Sequence, residues 1–162
     1  MVKLLLSIKA ELENVTDLAP ASDDFEYFFQ VQCNSCHETH PKFVGMNMKE
    51  EREVSGGKNA TANFVWRCGM CKRESSAKFD MAYGVKPYNA ENGQFGPLLA
   101  IECRGLEFVG FDMTRGAWKC KGVDSGTIFS DVDLSEGEWT DYDEKASQPV
   151  GISELGSKWS RA

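Results

Sequence analysis

A chain of 162 residues with 41% hydrophobic content can bury one substantial core, as one domain or as two small halves that share it. Its formal charge of −7 and isoelectric point near 4.9 exclude the basic footprint of a broad nucleic-acid binder. No run approaches the roughly 18 consecutive apolar residues of a membrane-spanning helix, and Leu4-Leu5-Leu6, broken by Ser7 and Lys9, is too short for the apolar region of a signal peptide.

Strand patterns dominate from the first residues. Leu4, Leu6, Ile8, Ala10 and Leu12 alternate with Lys3, Leu5, Ser7, Lys9, Glu11 and Glu13, which is the period of a half-buried strand. After the turn residues Pro20-Ala21-Ser22-Asp23, a second alternation places Phe25, Tyr27, Phe29, Val31 and Cys33 on one face and leads straight into a cysteine pair. Met48 to Val54 has the composition of a hairpin loop or a single helical turn, ended by Gly56-Gly57. Phe64-Val65-Trp66 then runs into a second cysteine pair. Beyond the turns at Asn92-Gly93 and Gly96-Pro97, Leu99, Ile101 and Cys103 share one face of a further strand. The stretch from Asp131 is polar and aromatic, predicting short strands that wrap the surface. Leu12-Glu13-Asn14-Val15 returns as Leu106-Glu107-Phe108-Val109, an offset of 94 residues, and hints at a duplicated unit.

The strongest chemical signal is the pair Cys33-Asn34-Ser35-Cys36 and Cys68-Gly69-Met70-Cys71. A two-residue spacing lets one tight turn aim both sulfurs at a common point, and two such turns complete a closed tetrahedral site for a d¹⁰ ion such as zinc. The 31 residues between Cys36 and Cys68 exceed the common spacing of about 15–20 but suffice for a hairpin that leaves and returns. With no export signal, a reducing compartment favours metal ligation over disulfides, and the sequons at Asn14 and Asn59 are then chance matches. The expectation is one structural Zn²⁺ per chain on Cys33, Cys36, Cys68 and Cys71. Other uses of the same residues are iron on four sulfurs, a redox dithiol, and haem attachment through Cys33-Asn34-Ser35-Cys36-His37; His37 or His40 could also replace a cysteine. Haem leaves the second pair unexplained, and a redox dithiol wants a helix that the pattern does not supply.

Cys103 and Cys120 fall on apolar faces and suit small buried hydrophobes; an enzyme of the zinc-bearing methionine sulfoxide reductase type would need one of them as nucleophile. Asp131-Val132-Asp133-Leu134-Ser135 begins like a calcium loop, but Glu136 and Tyr142 stand where Gly and Glu are required. Arg67, Lys72 and Arg73 form a small basic rim beside the second pair. A zinc held by four cysteines has no open position for catalysis. The residues thus point to a non-enzymatic binding module, with Trp139 and Tyr142 among the carboxylates of residues 131–144 as the partner-facing surface. The alternative is a metal-transfer protein that hands its ion onward through the same thiolates. A cytoplasmic monomer is expected, with the nucleus as a second compartment.

Longer strings carry a family resemblance over nearly the whole chain. These are Ile8 to Thr16, both cysteine pairs, Lys86-Pro87-Tyr88-Asn89-Ala90-Glu91, Glu102-Cys103-Arg104-Gly105-Leu106-Glu107, Gly126 to Asp131, and Glu138 to Lys145. Together they resemble the eukaryotic CXXC-motif-containing zinc-binding proteins. The resemblance implies an all-β sandwich of two related halves, divided here as 1–92 and 93–162, with zinc carried by the first alone on Cys33, Cys36, Cys68 and Cys71. It implies no established enzymatic activity, and a link to copper-handling thiol proteins as partners. His37 directly after Cys36 departs from the usual pattern.

Overall fold

The computed structural model describes residues 2–54, 61–89 and 93–162. The expected turn at Gly56-Gly57, the sequon at Asn59 and the Ala90–Asn92 stretch lie outside them. Every regular element among the described residues is a strand, so the protein is all-β. In chain order these are β1 (Val2–Glu13), β2 (Val15–Pro20), β3 (Tyr27–Cys33), β4 (Val44–Met46), β5 (Arg52–Glu53), β6 (Thr61–Ala62) and β7 (Phe64–Arg67). There follow β8 (Glu74–Phe79), β9 (Gly96–Arg104), β10 (Leu106–Phe111), β11 (Ala117–Gly122), β12 (Ile128–Asp133), β13 (Trp139–Asp143) and β14 (Gln148–Arg161).

A six-stranded sheet runs β13-β14-β1-β9-β8-β7, and two three-stranded sheets run β10-β3-β4 and β12-β11-β2. The alternation in β1 does what it predicts: Leu4, Leu6, Ile8 and Ala10 are buried, while Lys3 and Glu11 face solvent. β9 differs, because Leu98, Leu99, Ala100 and Ile101 are all buried. It lies inside the sheet between β1 and β8, and an apolar run without alternation is what a strand covered on both faces requires.

The core is built on aromatic contacts that tie the small sheets to the large one. Phe29 of β3 packs edge-on to Trp159 of β14, with centroids 4.9 Å apart, and lies 6.4 Å from Phe79 of β8. Trp118 of β11 has no exposed surface, and its indole N–H donates to the Met113 carbonyl at 3.1 Å. Burying each such ring contributes roughly 1.5–3 kcal/mol and accounts for much of the cohesion.

Of the two readings of Met48 to Val54, the hairpin fits and the helical turn does not: its end forms β5, which pairs antiparallel with β6. One expectation changes, since the C-terminal stretch does not end in short wrapping strands. β14 is 14 residues long and pairs with β1 along most of its length, with a register shift opposite Lys9 to Glu11 that accommodates Glu154 at φ 55°. Its polar residues hid it, since its strand character comes from pairing on both sides and not from its own composition.

The topology has an internal exchange symmetry. Swapping β1 with β9, β8 with β14 and β7 with β13 returns the six-stranded order in reverse, and swapping β2, β3, β4 with β10, β11, β12 converts one small sheet into the other. Strands from residues 1–92 and 93–162 therefore sit in the same sheets, around one core. The short sequence repeat does not follow this equivalence. Leu12 and Glu13 end β1, whereas Leu106 and Glu107 begin β10. The equivalent corners are Asn14 and Gly105, both at positive φ (59° and 81°), each joining a long strand to the next.

Candidate metal centre

Each cysteine pair opens at a strand end. Cys33 is the last residue of β3, and the chain turns through Asn34, Ser35 and Cys36 before a bridge pairs Gln32 with Thr39. Backbone bonds fix this turn: His37 N–H donates to Cys33 O at 2.8 Å and Cys33 N–H to Glu38 O at 3.0 Å. The second pair sits in the loop of the β7–β8 hairpin, with the same two bonds, Lys72 N–H to Cys68 O and Cys68 N–H to Arg73 O, both at 3.0 Å. His37 and Lys72 occupy the same place in their turns and both take positive φ, 61° and 64°. These turns aim backbone N–H groups at the first sulfur of each pair: Cys36 and Ser35 at Cys33, Cys71 and Met70 at Cys68.

The β9–β10 corner draws the two turns together. Gly105 O accepts the Asn34 N–H at 3.1 Å, which anchors the first turn. On its other side β8 pairs with β9, and a Cβ on Gly105 would lie 2.7 Å from Ser75 Oγ. Glycine is required there twice over, by its φ of 81° and by that approach. The sequence pattern did not mark Gly105 as part of the site, since a glycine between two strands has many uses.

The result is a compact cluster. The Sγ atoms of Cys33, Cys36, Cys68 and Cys71 all lie within 4.8 Å of one another, with 3.6 Å from Cys33 to Cys71 and from Cys36 to Cys68. Zn–S bonds of about 2.3 Å in a tetrahedron put sulfurs about 3.8 Å apart, so the donor set fits zinc in number, type and spacing. Cys33 and Cys68 are buried, Cys71 is half-buried and Cys36 is exposed. The Cys36 N–H beside Cys33 lowers that thiol, and the Cys71 N–H brings Cys68 down to about 7. The N–H of Glu38 lowers the Cys36 thiol, but desolvation of its sulfur among the three neighbouring sulfurs, with their own hydrogen bonding, outweighs that and pushes it up to about 12 although the residue is exposed. The cluster thus favours thiolate at the inner positions, which a cation must find before it binds.

Among the described residues no histidine joins the cluster. His37 is exposed, and His40 rests edge-on against Trp66 at 6.0 Å. The basic rim is largely spent on the turn itself: Arg67 donates to Lys72 O at 2.7 Å and Lys72 Nζ to Gly69 O at 2.8 Å. Cys103 and Cys120 are buried elsewhere, and desolvation pushes both thiols up to about 12, which disfavours a thiolate nucleophile at either. Trp139 is half-buried against Phe129 at 5.4 Å, whereas Tyr142 is exposed.

The chain is similar to known proteins along its whole length. It is 42% identical over 156 residues to the human CXXC motif containing zinc binding protein, covering 96% of each chain, and 38% identical to the Xenopus laevis protein of the same name over 99% of each. Its fold matches a crystal structure of C1orf123 with a TM-score of 0.90 at 40% identity, and a hypothetical protein from Plasmodium falciparum with 0.84 at 25%; each comparison covers at least 99% of both chains. The model of the family described as CXXC motif containing zinc binding protein, eukaryotic, matches residues 5–160, and the chain belongs to that family.

Proposed function

We propose that Cys33, Cys36, Cys68 and Cys71 hold one Zn²⁺ per chain in a closed, structural site, and that the protein acts as a non-enzymatic interaction module. The observation that carries this reading is the convergence of four sulfurs within 4.8 Å on two turns that share one backbone geometry. Four thiolates fill the tetrahedral shell of zinc and leave no position for substrate or activated water. When bound, the ion joins the end of β3 to the β7–β8 hairpin, so its binding free energy becomes local folding free energy. The partner-facing surface is the β13 edge of the large sheet, where Tyr142 is 51% exposed and Asp141 stands beside it. Aromatic side chains presented with charges suit a protein partner. Capture from cell extract should recover partners with the parent chain and lose them with Trp139→Ala plus Asp141→Lys; unchanged capture removes that surface from the proposal.

A second reading, in which the ion is passed to another thiol protein, is favoured by the exposure of Cys36. An entering thiolate would reach the metal from that side. A chelator separates the two: a structural site loses zinc together with order in the two turns, whereas a transfer site exchanges it while the fold stays intact.

A further inference from the structure

The turn that follows β11 copies the first cysteine turn bond for bond. Gly126 N–H donates to Gly122 O at 3.0 Å and Gly122 N–H to Thr127 O at 2.8 Å, matching His37 to Cys33 and Cys33 to Glu38. Val123 N–H donates to Asn14 O at 3.0 Å, as Asn34 N–H donates to Gly105 O, so each turn hangs on the corner that the fold's exchange symmetry assigns to it. Lys121 pairs with Ile128 as Gln32 pairs with Thr39, and Gly126 takes φ 73° where His37 takes 61°. The β13–β14 hairpin loop matches the second cysteine turn in strand register and in its left-handed residue. Tyr142 pairs with Pro149 as Arg67 pairs with Glu74, and Ser147 takes φ 55° where Lys72 takes 64°. In this correspondence Cys33, Cys36, Cys68 and Cys71 become Gly122, Ser125, Asp143 and Ala146.

No sulfur stands at those four positions, but a polar knot does. Asp143 has no exposed surface. Its carboxylate accepts the Ser125 hydroxyl, the Thr127 hydroxyl at 3.3 Å and the Ala146 N–H at 3.2 Å. A Cβ on Gly122 would fall 2.5 Å from Asp143 Oδ2, so the missing side chain at the counterpart of Cys33 leaves the space that the carboxylate fills. The Ser125 hydroxyl is the main reason the Asp143 carboxyl is held below its ordinary range, and the group is therefore an anion at neutral pH.

We infer that the protein contains a second, metal-free copy of its zinc site, in which the Asp143 carboxylate, bonded by Ser125, Thr127 and the Ala146 N–H, ties together two turns that elsewhere in the chain are tied by a cation. The first site uses an ion between four anionic ligands, and the second uses one anion among neutral donors. The backbone repeats the first cysteine turn at Gly122 to Thr127 and keeps the register of the second at Asp143 to Gln148, so that cysteines placed at Gly122, Ser125, Asp143 and Ala146 would meet as a site for a soft divalent cation. This end of the molecule then keeps its shape when the first site loses its metal.

The inference rests on the reading of the four cysteines as zinc ligands, and the test separates the two. Gly122→Cys, Ser125→Cys, Asp143→Cys and Ala146→Cys are combined in the full chain, and zinc bound per chain is measured beside the parent after desalting. The quadruple variant should carry one zinc more than the parent; a folded variant with the parent's content overturns the inference. A parent without zinc would instead sink the reading of the first site, while the increment still reports on the second. Should the quadruple variant not fold, Asp143→Ala decides. It should melt several degrees below the parent, with faster amide exchange at residues 123–127 and 144–147 and with the parent's zinc content. Melting and exchange unchanged from the parent overturn the inference.

Discussion

The sulfur of Cys33, at the end of a strand in a small sheet, lies 3.6 Å from that of Cys71, in a hairpin loop of the large sheet. Strand pairing alone does not bring them together. The β9–β10 corner does, because β9 carries β8, β10 carries β3, and Gly105 sits where the two meet. The sulfur cluster is therefore a property of the sheet topology as much as of its four cysteines.

Gly105→Ala should damage this junction without touching a ligand. The added methyl meets Ser75 Oγ at 2.7 Å in a left-handed conformation, which should cost more than about 1 kcal/mol. Chemical denaturation should show the lowered stability, and competition with a chelator should show weaker zinc retention; parental values in both would mean that the corner is not what aligns the turns.

Loss of zinc should be felt locally. In Cys68→Ser, hydrogen exchange should quicken in residues 33–40 and 66–74, while β1 and β14, which pair along most of their length, keep their protection. Exchange that rises uniformly would show that the metal supports the whole fold.

The six cysteines should divide into two reactivity classes. In zinc-bound native protein Cys103 and Cys120 should resist alkylation, being buried with thiols pushed up to about 12. Both should react once the chain is unfolded. Rapid labelling of either in native protein near neutral pH would revive a catalytic or redox role.

Acid should weaken the fold partly through Asp143. Its folded pKa is depressed, chiefly by the Ser125 hydroxyl, so the unfolded chain takes up the proton first. That contribution is complete above the unfolded value of about 3.9 and disappears as pH falls through the lower folded value. In a zinc-free Cys68→Ser background, where acid release of metal plays no part, Asp143→Asn should flatten the acid limb of stability against pH. An equally steep limb would assign the acid sensitivity elsewhere.

Much of this was legible in the sequence, for physical reasons. The alternation of Leu4 to Ala10 and of Tyr27 to Cys33 marks strands with one buried face, and both fall where the pattern puts them. The cluster of four cysteines was legible because zinc chemistry restricts both residue type and spacing. The carboxylates of residues 131–144 look like one solvated surface, yet Asp143 is buried while Asp141 and Glu144 are exposed. What buries it is Ser125 and Thr127, on a turn 16 to 18 residues away in sequence, and no local pattern reports such partners. The second pair of turns was illegible for a related cause: it shares strand register and left-handed positions with the first, and at Gly122 to Thr127 its backbone hydrogen bonds, but no residue type at the four cysteine positions.

X-ray absorption at the zinc edge, on protein purified without added metal or chelator, reads the ion and its ligands together. One zinc per chain is expected, with a first shell of four sulfurs at about 2.3 Å. Protein free of zinc, or a first shell of nitrogen and oxygen, would contradict it.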